Sequence, residues 1–523
     1  MELKLFYRTF AVLALAAAWL CLYPWVYPKV PWLREQMRNY APLAWFWQSE
    51  EAGETESVSA SSASSASSYA PLDTGVFPPS GSDSLSFSGD SATVLPPEAF
   101  RETNQNYQGI EALSAFFKAL AEKKEQIRIA YYGDSSIEGD LITQTLRDSL
   151  QNRFGGAGVG FVSLLPSVKH FRRSVRQDAS NNWYQFRTGR KNYKALPVGI
   201  AGTYFTAMNS WEFQDSNEPD SAGSASASAV APVMETKYWI QFGASPLFEG
   251  AQYFPKTRLF YAAPPSATSK PGAVLGRVHA ITEEERHDLP LSVGTGLLNC
   301  LALPAEKVSR LRLEFVIPNN LPVYGVSMET DHGVILDNFS LRGNSGAGLL
   351  NIRPDMLRQF QDQVDYDLVA LQFGLNVLNP KLRDYRWYED QLIAVIQHFQ
   401  KTLPGVPVLI VGVPDKSTRI NGVMRTDPSI PRIHAAQRRA AFRCGAAFFS
   451  LYEAMGGEGA MIEWVEQKRL ANRDYTHFNF QGADVASNYL LRFFTAGVDQ
   501  YRKQAQAEAR NESSLMNSSD PLR

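Results

Sequence analysis

Ser135, Asp474 and His477 are the residue types that acyl transfer requires. A serine hydroxyl is a weak nucleophile until a base takes its proton, and an imidazole that titrates near neutrality is suited to that task. The imidazole in turn needs an acceptor on its second nitrogen, to fix its tautomer and stabilise the imidazolium. Asp474 stands close enough to serve, in Asp474-Tyr-Thr-His477. Attack on an ester carbonyl builds an oxyanion. Its candidate donors are the backbone N–H groups of Ser135 and Gly343 and the side-chain amide of Asn376. Each signal is weak alone, and Ser135 taken by itself could equally be a helix cap.

The elements around these residues place them at strand ends. Ile127, Ile129 and Tyr131 alternate along a strand that breaks at Gly133-Asp-Ser135, and Leu141 to Leu150 then shows helical spacing. That order sets Ser135 at the carboxyl edge of a sheet, where open α/β folds bind ligands, and near a helix N-terminus. Glu138 and Asp140 are expected to favour that N-terminus through the helix dipole. Gly343 and Asn344 follow a strand at 333–341, Gly374-Leu-Asn376 follows one at 367–373, and Pro414-Asp415 follows one at 406–413, with Asp415 expected in a loop. An amphipathic helix at 109–122 precedes the first strand, and helices are expected near 353–364, 385–402, 430–445 and 479–495. Strands alternating with helices imply an α/β fold with a mostly parallel sheet covered on both faces.

Between these parts the character changes. Short alternating runs at 237–242, 257–261, 277–282, 310–317 and 323–328 predict a β-rich, sandwich-like insert over 166–332. Its aromatics, among them Trp183, Tyr184, Phe186, Tyr193 and Trp211, either fill a sandwich core or bind carbohydrate, and 215–231 reads as a mobile loop. Phe154-Gly-Gly-Ala-Gly-Val-Gly-Phe161 lacks the third glycine of a dinucleotide fingerprint and follows a helix, so it reads as a flexible loop and no cofactor is expected.

Composition narrows the class. The chain has 523 residues, 44% hydrophobic and 12% aromatic, with a formal net charge of −2, which gives no reason to expect nucleic acid as a partner. Cys21, Cys300 and Cys444 lack metal-ligand spacing, as do His170, His279, His287, His332, His398 and His434, so no metal is expected. The uncharged run from Thr9 to Val26 is near the lower limit for a spanning helix and is followed by Tyr27. It reads as an N-terminal membrane anchor or signal segment over 1–28, and the aromatics that follow favour a retained anchor over a cleaved signal peptide. The Ser/Ala-rich stretch 49–98 reads as a flexible tether and 501–523 as a polar tail.

Gly133-Asp-Ser135, Gly343, Gly374-Leu-Asn376 and Asp474-Tyr-Thr-His477, in this order and at strand ends, resemble the SGNH (GDSL-like) hydrolase superfamily. The resemblance implies a three-layer α/β/α catalytic domain split into 100–165 and 333–500. It implies Ser135 as nucleophile, Asp474 and His477 as the rest of a triad, and Ser135, Gly343 and Asn376 as the oxyanion hole. Val377 stands where family members often carry Asp after the asparagine. The long, β-rich interval after the serine resembles bacterial peptidoglycan O-acetylesterases and O-acetyltransferases. The expectation is a cell-envelope enzyme acting on an acetylated glycan. It would be held to the inner membrane by its N-terminal helix, with its body in the periplasm and a membrane-bound acyltransferase as a candidate partner. A silent glycan-binding scaffold and a lipase of longer acyl esters are the alternatives.

Overall fold

The computed structural model describes residues 107–168, 171–188, 196–207, 238–263, 271–318 and 321–518. The expected anchor and tether, the loop at 215–231, His170, Tyr193 and Trp211 lie outside the described residues.

In chain order, helix α1 (Ser114–Glu122) leads into strand β1 (Gln126–Gly133), and α2 (Thr143–Phe154) follows. Eleven strands come next: β2 (Gly158–Ser163), β3 (Val175–Ala179), β4 (Trp183–Arg187), β5 (Thr203–Ala207), β6 (Tyr238–Ala244), β7 (Lys256–Ala262), β8 (Val274–Ile281), β9 (Arg286–Ser292), β10 (Leu298–Leu303), β11 (Arg310–Val316) and β12 (Val323–Glu329). The chain then returns to alternation, with β13 (Gly333–Ser340), α3 (Pro354–Val364), β14 (Leu368–Gln372), α4 (Arg386–Thr402), β15 (Val408–Val411), a hairpin of β16 (Ser417–Ile420) and β17 (Val423–Thr426), α5 (Ser429–Arg443), β18 (Ala447–Phe449), α6 (Leu451–Met455), α7 (Ala460–Glu466) and α8 (Phe480–Ser518).

Strands β13, β1, β14, β15 and β18 lie side by side in that order, all parallel. Because successive side chains point to opposite faces, β1 divides its residues between two cores. Ile127, Ile129 and Tyr131 pack with α1, α2 and α8, while Ala130 and Tyr132 pack with α3, α4 and α5. Both faces are buried, so the strands read as near-continuous apolar runs. This is the parallel sheet covered on both faces that the alternation implies, in the three-layer α/β/α arrangement that the resemblance implies.

The β-rich region folds as two antiparallel sheets around their own core. One has the order β10-β7-β12-β5-β4 with β2 on β12, and the other β3-β6-β11-β8-β9. It begins earlier than 166: Gly158–Ser163 is a strand, not a flexible loop. Glycine is needed there because a Cβ on Gly158, at φ +99°, would lie 2.2 Å from the Met328 carbonyl oxygen. The region is also fused to the α/β body, since Phe161, Tyr204, Phe260 and Tyr324 share a core with Phe360 of α3. Among its aromatics, Trp183 is buried in the sandwich and Phe186 stacks on Tyr204 at 4.5 Å, so both serve as core.

Helix α8 runs to Ser518, well beyond the expected end near 495. Phe494 and Val498 pack in the core that α1 shares, and Tyr501 hydrogen-bonds Glu122, so the helix is supported past its apolar stretch. No helix among the described residues is long and apolar enough to cross a membrane.

Candidate active site

The end of β1 fixes Ser135. Asp134 N–H donates to the Gln372 carbonyl at 3.3 Å and Leu341 N–H to the Gly133 carbonyl at 2.8 Å, so β1 is held between its neighbours up to its last residue. A short 3-10 turn (Ser135–Asp140) then separates the serine from α2, which starts only at Thr143. The cap of that turn is Asp134, whose Oδ1 accepts from Ser136 N at 2.9 Å and Ser136 Oγ at 2.8 Å. The Ser135 hydroxyl is left for His477. Asn338 holds the turn from beneath, donating to the Ile137 carbonyl at 2.9 Å and to Thr143 Oγ1 at 2.7 Å.

Glu138 and Asp140 do not sit at a helix N-terminus as expected. Gly139, Asp140 and Ile142 all take positive φ, and this turns both carboxylates inward. Asp140 is buried against Arg147 at 2.7 Å and Arg172 at 3.2 Å. Burial alone would raise its pKa, but the two guanidinium groups and the Ser174 hydroxyl hold it well below the usual carboxylate range. Arg172 belongs to the β-rich region, so this pairing also joins that region to the turn carrying Ser135.

The loop between α7 and α8 carries the base. Asn472 N–H donates to the His477 carbonyl at 2.9 Å and Ala471 bridges Phe478, which closes the loop on itself. Tyr475, at its tip, sits at φ +53°, and its carbonyl accepts from Ser417 N–H of the β16–β17 hairpin at 3.0 Å. A non-glycine residue in that region marks a conformation held by its surroundings. Asp474 braces the loop by accepting from the backbone of Thr476 and of His477, each at 3.0 Å.

These elements bring together residues 342 positions apart. The Ser135 hydroxyl lies 3.0 Å from His477 Nε2, and His477 Nδ1 lies 2.7 Å from Asp474 Oδ2. Burial would raise the Asp474 pKa, yet the bonds from the His477 ring and from two backbone N–H groups lower it overall. The carboxylate is therefore ionised where an imidazolium would need it.

Gly343 and Asn376 reach the same strand ends. Gly343 has φ +77° with open space where a Cβ would stand, so the backbone can approach a ligand there. Among the described residues, neither its N–H nor that of Ser135 donates to a protein acceptor. Gly346 is engaged, donating to Asn344 Oδ1 at 2.7 Å. Asn376 Nδ2 donates to Asp134 Oδ2 at 3.0 Å and to the Asn344 carbonyl at 3.1 Å, so both amide hydrogens are taken by protein. The role of Asp134, buried beside the serine with its pKa raised by that burial, was not legible in the sequence. Its position inside the Gly-Asp-Ser turn was the only hint.

Ser135 and His477 open onto a cavity of about 260 Å³, lined also by Glu138, Val168, Phe171, Arg342 and Pro414. Val168 and Phe171 come from the β-rich region, so the cavity lies on its seam with the α/β body. A larger groove of about 870 Å³ on the β-rich region, lined by Arg176, Gln241 and Arg310, holds no nucleophile–base pair. No group of three or more potential metal ligands occurs among the described residues.

Asp415, beside Pro414, lies in a loop as expected but is fully buried there. Its Oδ2 accepts from Met461 N–H at 2.7 Å, which pins α7 and so the base of the His477 loop. Burial pushes its pKa up to about 6. A raised carboxylate pKa means that the folded chain holds the proton more tightly than the unfolded chain. Stability is then highest below the unfolded value and falls as pH rises from about 4 to about 6. Asp415→Asn is expected to flatten that fall and to raise stability at pH 8 by about 1–3 kcal/mol, measured by urea unfolding at pH 5 and pH 8.

Comparison with known proteins bears on the family and fold of the chain. Residues 321–485 match the model of the GDSL-like Lipase/Acylhydrolase family, a span that holds Gly343, Asn376, Asp474 and His477 but not Ser135, which lies before the β-rich region. A solved structure of a peptidoglycan O-acetylesterase is similar at 21% identity and a TM-score of 0.55, over 74% of this chain and 96% of that one. A GDSL-like lipase structure from Parabacteroides merdae is similar at 14% identity and a TM-score of 0.24, over 31% of this chain and 73% of that one. Curated protein sequences give no match. Over its α/β body the chain thus resembles the GDSL-like hydrolases.

Proposed function

We propose, from the GDSL-like character of the α/β body, that the protein is a serine esterase removing O-acetyl groups from a cell-envelope glycan such as peptidoglycan. The observation that carries this reading is the continuous hydrogen-bonded series from Asp474 through His477 to Ser135, at 2.7 and 3.0 Å, opening onto a cavity. The likeness to a peptidoglycan O-acetylesterase structure supports the choice of glycan.

In this mechanism His477 Nε2 takes the Ser135 proton as Oγ bonds the acetyl carbonyl carbon. The tetrahedral oxyanion accepts from the N–H groups of Ser135 and Gly343. Asn376 joins them by exchanging its bond to the Asn344 carbonyl for one to the oxyanion, each donor contributing about 3 kcal/mol. The intermediate collapses, the sugar oxygen leaves with the proton from His477, and acetyl-Ser135 remains. Water then gives a proton to His477 as its oxygen attacks the acetyl carbon, and on collapse His477 returns that proton to Ser135 Oγ as acetic acid departs. A sugar hydroxyl in place of water would make the same intermediate a transferase. The half-exposed His477, facing an open cavity, favours water. The apolar run Thr9–Val26 would tether this body to the membrane, in the periplasm, where a membrane-bound acyltransferase could be its partner.

The test is acetate release from O-acetylated peptidoglycan by the full-length protein, with 4-nitrophenyl acetate and octanoate alongside. Release from the glycan and preference for acetate are expected. Hydrolysis of octanoate with no release from the glycan would favour a lipase instead.

A further inference from the structure

Arg342 stands between the end of β13 and Gly343. Leu341 N–H donates to the Gly133 carbonyl at 2.8 Å, so the residue that follows is tied to the end of β1 and lines the cavity with Ser135. Its side chain is 61% exposed, yet its position is fixed, because Nη1 donates to Glu138 Oε2 at 2.9 Å. Glu138 is only 6% exposed, and among the described residues its other oxygen has no hydrogen-bond partner. Burial raises its pKa, while Arg342, His477 and Arg187 act against that rise. A buried carboxylate therefore anchors one edge of a guanidinium whose remaining donors stay at the cavity rim.

A guanidinium held this way is prepared for a second planar anion. Its fork of donors matches a carboxylate bidentately, and an anchored fork loses little freedom on binding. The charges facing the rim suit this. Of the two carboxylates that line this cavity, Glu138 is paired with Arg342 and Asp474 with His477.

We infer that Arg342 binds a carboxylate of the glycan beside the acetyl ester, so that the preferred substrates are acidic O-acetylated glycans. This rests on the esterase reading of the same site. The orientation it supplies would act before chemistry, bringing the ester carbonyl to Ser135.

The experiment compares a partly O-acetylated hexuronate oligosaccharide with its carboxyl-reduced, neutral counterpart, using full-length protein. Wild type is expected to hydrolyse the acidic ester about 10- to 100-fold faster in kcat/KM. High salt should erode that advantage, because the pair is at the surface. In Arg342→Met the ratio should collapse towards one, mainly through KM, with partial recovery in Arg342→Lys. Because Arg342→Met leaves Glu138 unpaired, the double variant Arg342→Met/Glu138→Gln removes both charges and should show the same collapse. A wild-type ratio near one, or a ratio that survives in both variants, overturns the inference and leaves the esterase reading standing. Failure to hydrolyse either ester while acetate is still released from O-acetylated peptidoglycan overturns the inference alone, and failure on all three substrates overturns both.

Discussion

Ser135→Ala is expected to lower kcat for acetyl-ester hydrolysis by about 10⁵-fold, with KM little changed. The hydroxyl is the atom that bonds the acetyl carbon, so its loss removes the covalent path and leaves only binding and the oxyanion donors. The effect should not add to that of the base. His477→Ala alone should cost nearly as much, and Ser135→Ala/His477→Ala little more than either, because the 3.0 Å contact makes them one unit. Folding should be unaffected, since Ser136, not Ser135, bonds the capping Asp134. Steady-state kinetics beside thermal unfolding would separate lost chemistry from a lost fold. A single variant that keeps its rate would remove Ser135 from the mechanism.

The largest effect on stability is expected from Arg128→Met. Arg128, in β1, is completely buried and meets Asp337 of β13 with two bonds, Nε to Oδ2 at 2.8 Å and Nη2 to Oδ1 at 3.0 Å. Its Nη1 meets Glu329 of β12 at 2.6 Å. Asp337 also accepts from Phe161 N–H at 2.6 Å and from the Tyr366 hydroxyl at 2.7 Å. One guanidinium thus joins the parallel sheet to the β-rich region. Removing it strands the buried Asp337 carboxylate and leaves Glu329 with Arg258 as its ion partner, which costs about 3–5 kcal/mol. That is a large share of what keeps a domain folded. Arg128→Met/Asp337→Asn should recover part of the loss, because the stranded charge goes too. Urea midpoints of the two variants would check both statements, and equal midpoints for wild type and Arg128→Met would contradict the first.

Much of the α/β body was legible because its strands are buried on both faces. Val334, Ile335 and Leu336, or Val408 to Val411, admit few other readings. Three of the four polar blocks were legible for a related reason: each interrupts an apolar run at a strand end, while Asp474-Tyr-Thr-His477 stands in the loop before the last helix. The β-rich region was less so. Gly158–Ser163 looked like a loop because its glycines serve close approach to β12 and not flexibility. Strand β9, Arg286–Ser292, carries charges and Pro290, which an edge strand tolerates. Pairings such as Asp140 with Arg172 or Glu138 with Arg342 have no sequence signature at all. Their partners come from different elements, and only the positive-φ turn at 139–142 brings them inward. The burial of Asp415 within its loop likewise has no sequence signature, since it depends on α7 folding over it.

The central claim is that acetyl groups pass through the Ser135 oxygen, and the most direct measurement is to trap them there. Full-length protein would be mixed with an excess of an activated acetyl ester, quenched in acid within the first turnover, digested and read by mass spectrometry. The expected result is one acetyl group on the peptide carrying Ser135, absent in Ser135→Ala and persisting longer when Asp474 is replaced by Asn. Acetate released at the wild-type rate, with that peptide never acetylated, would contradict it.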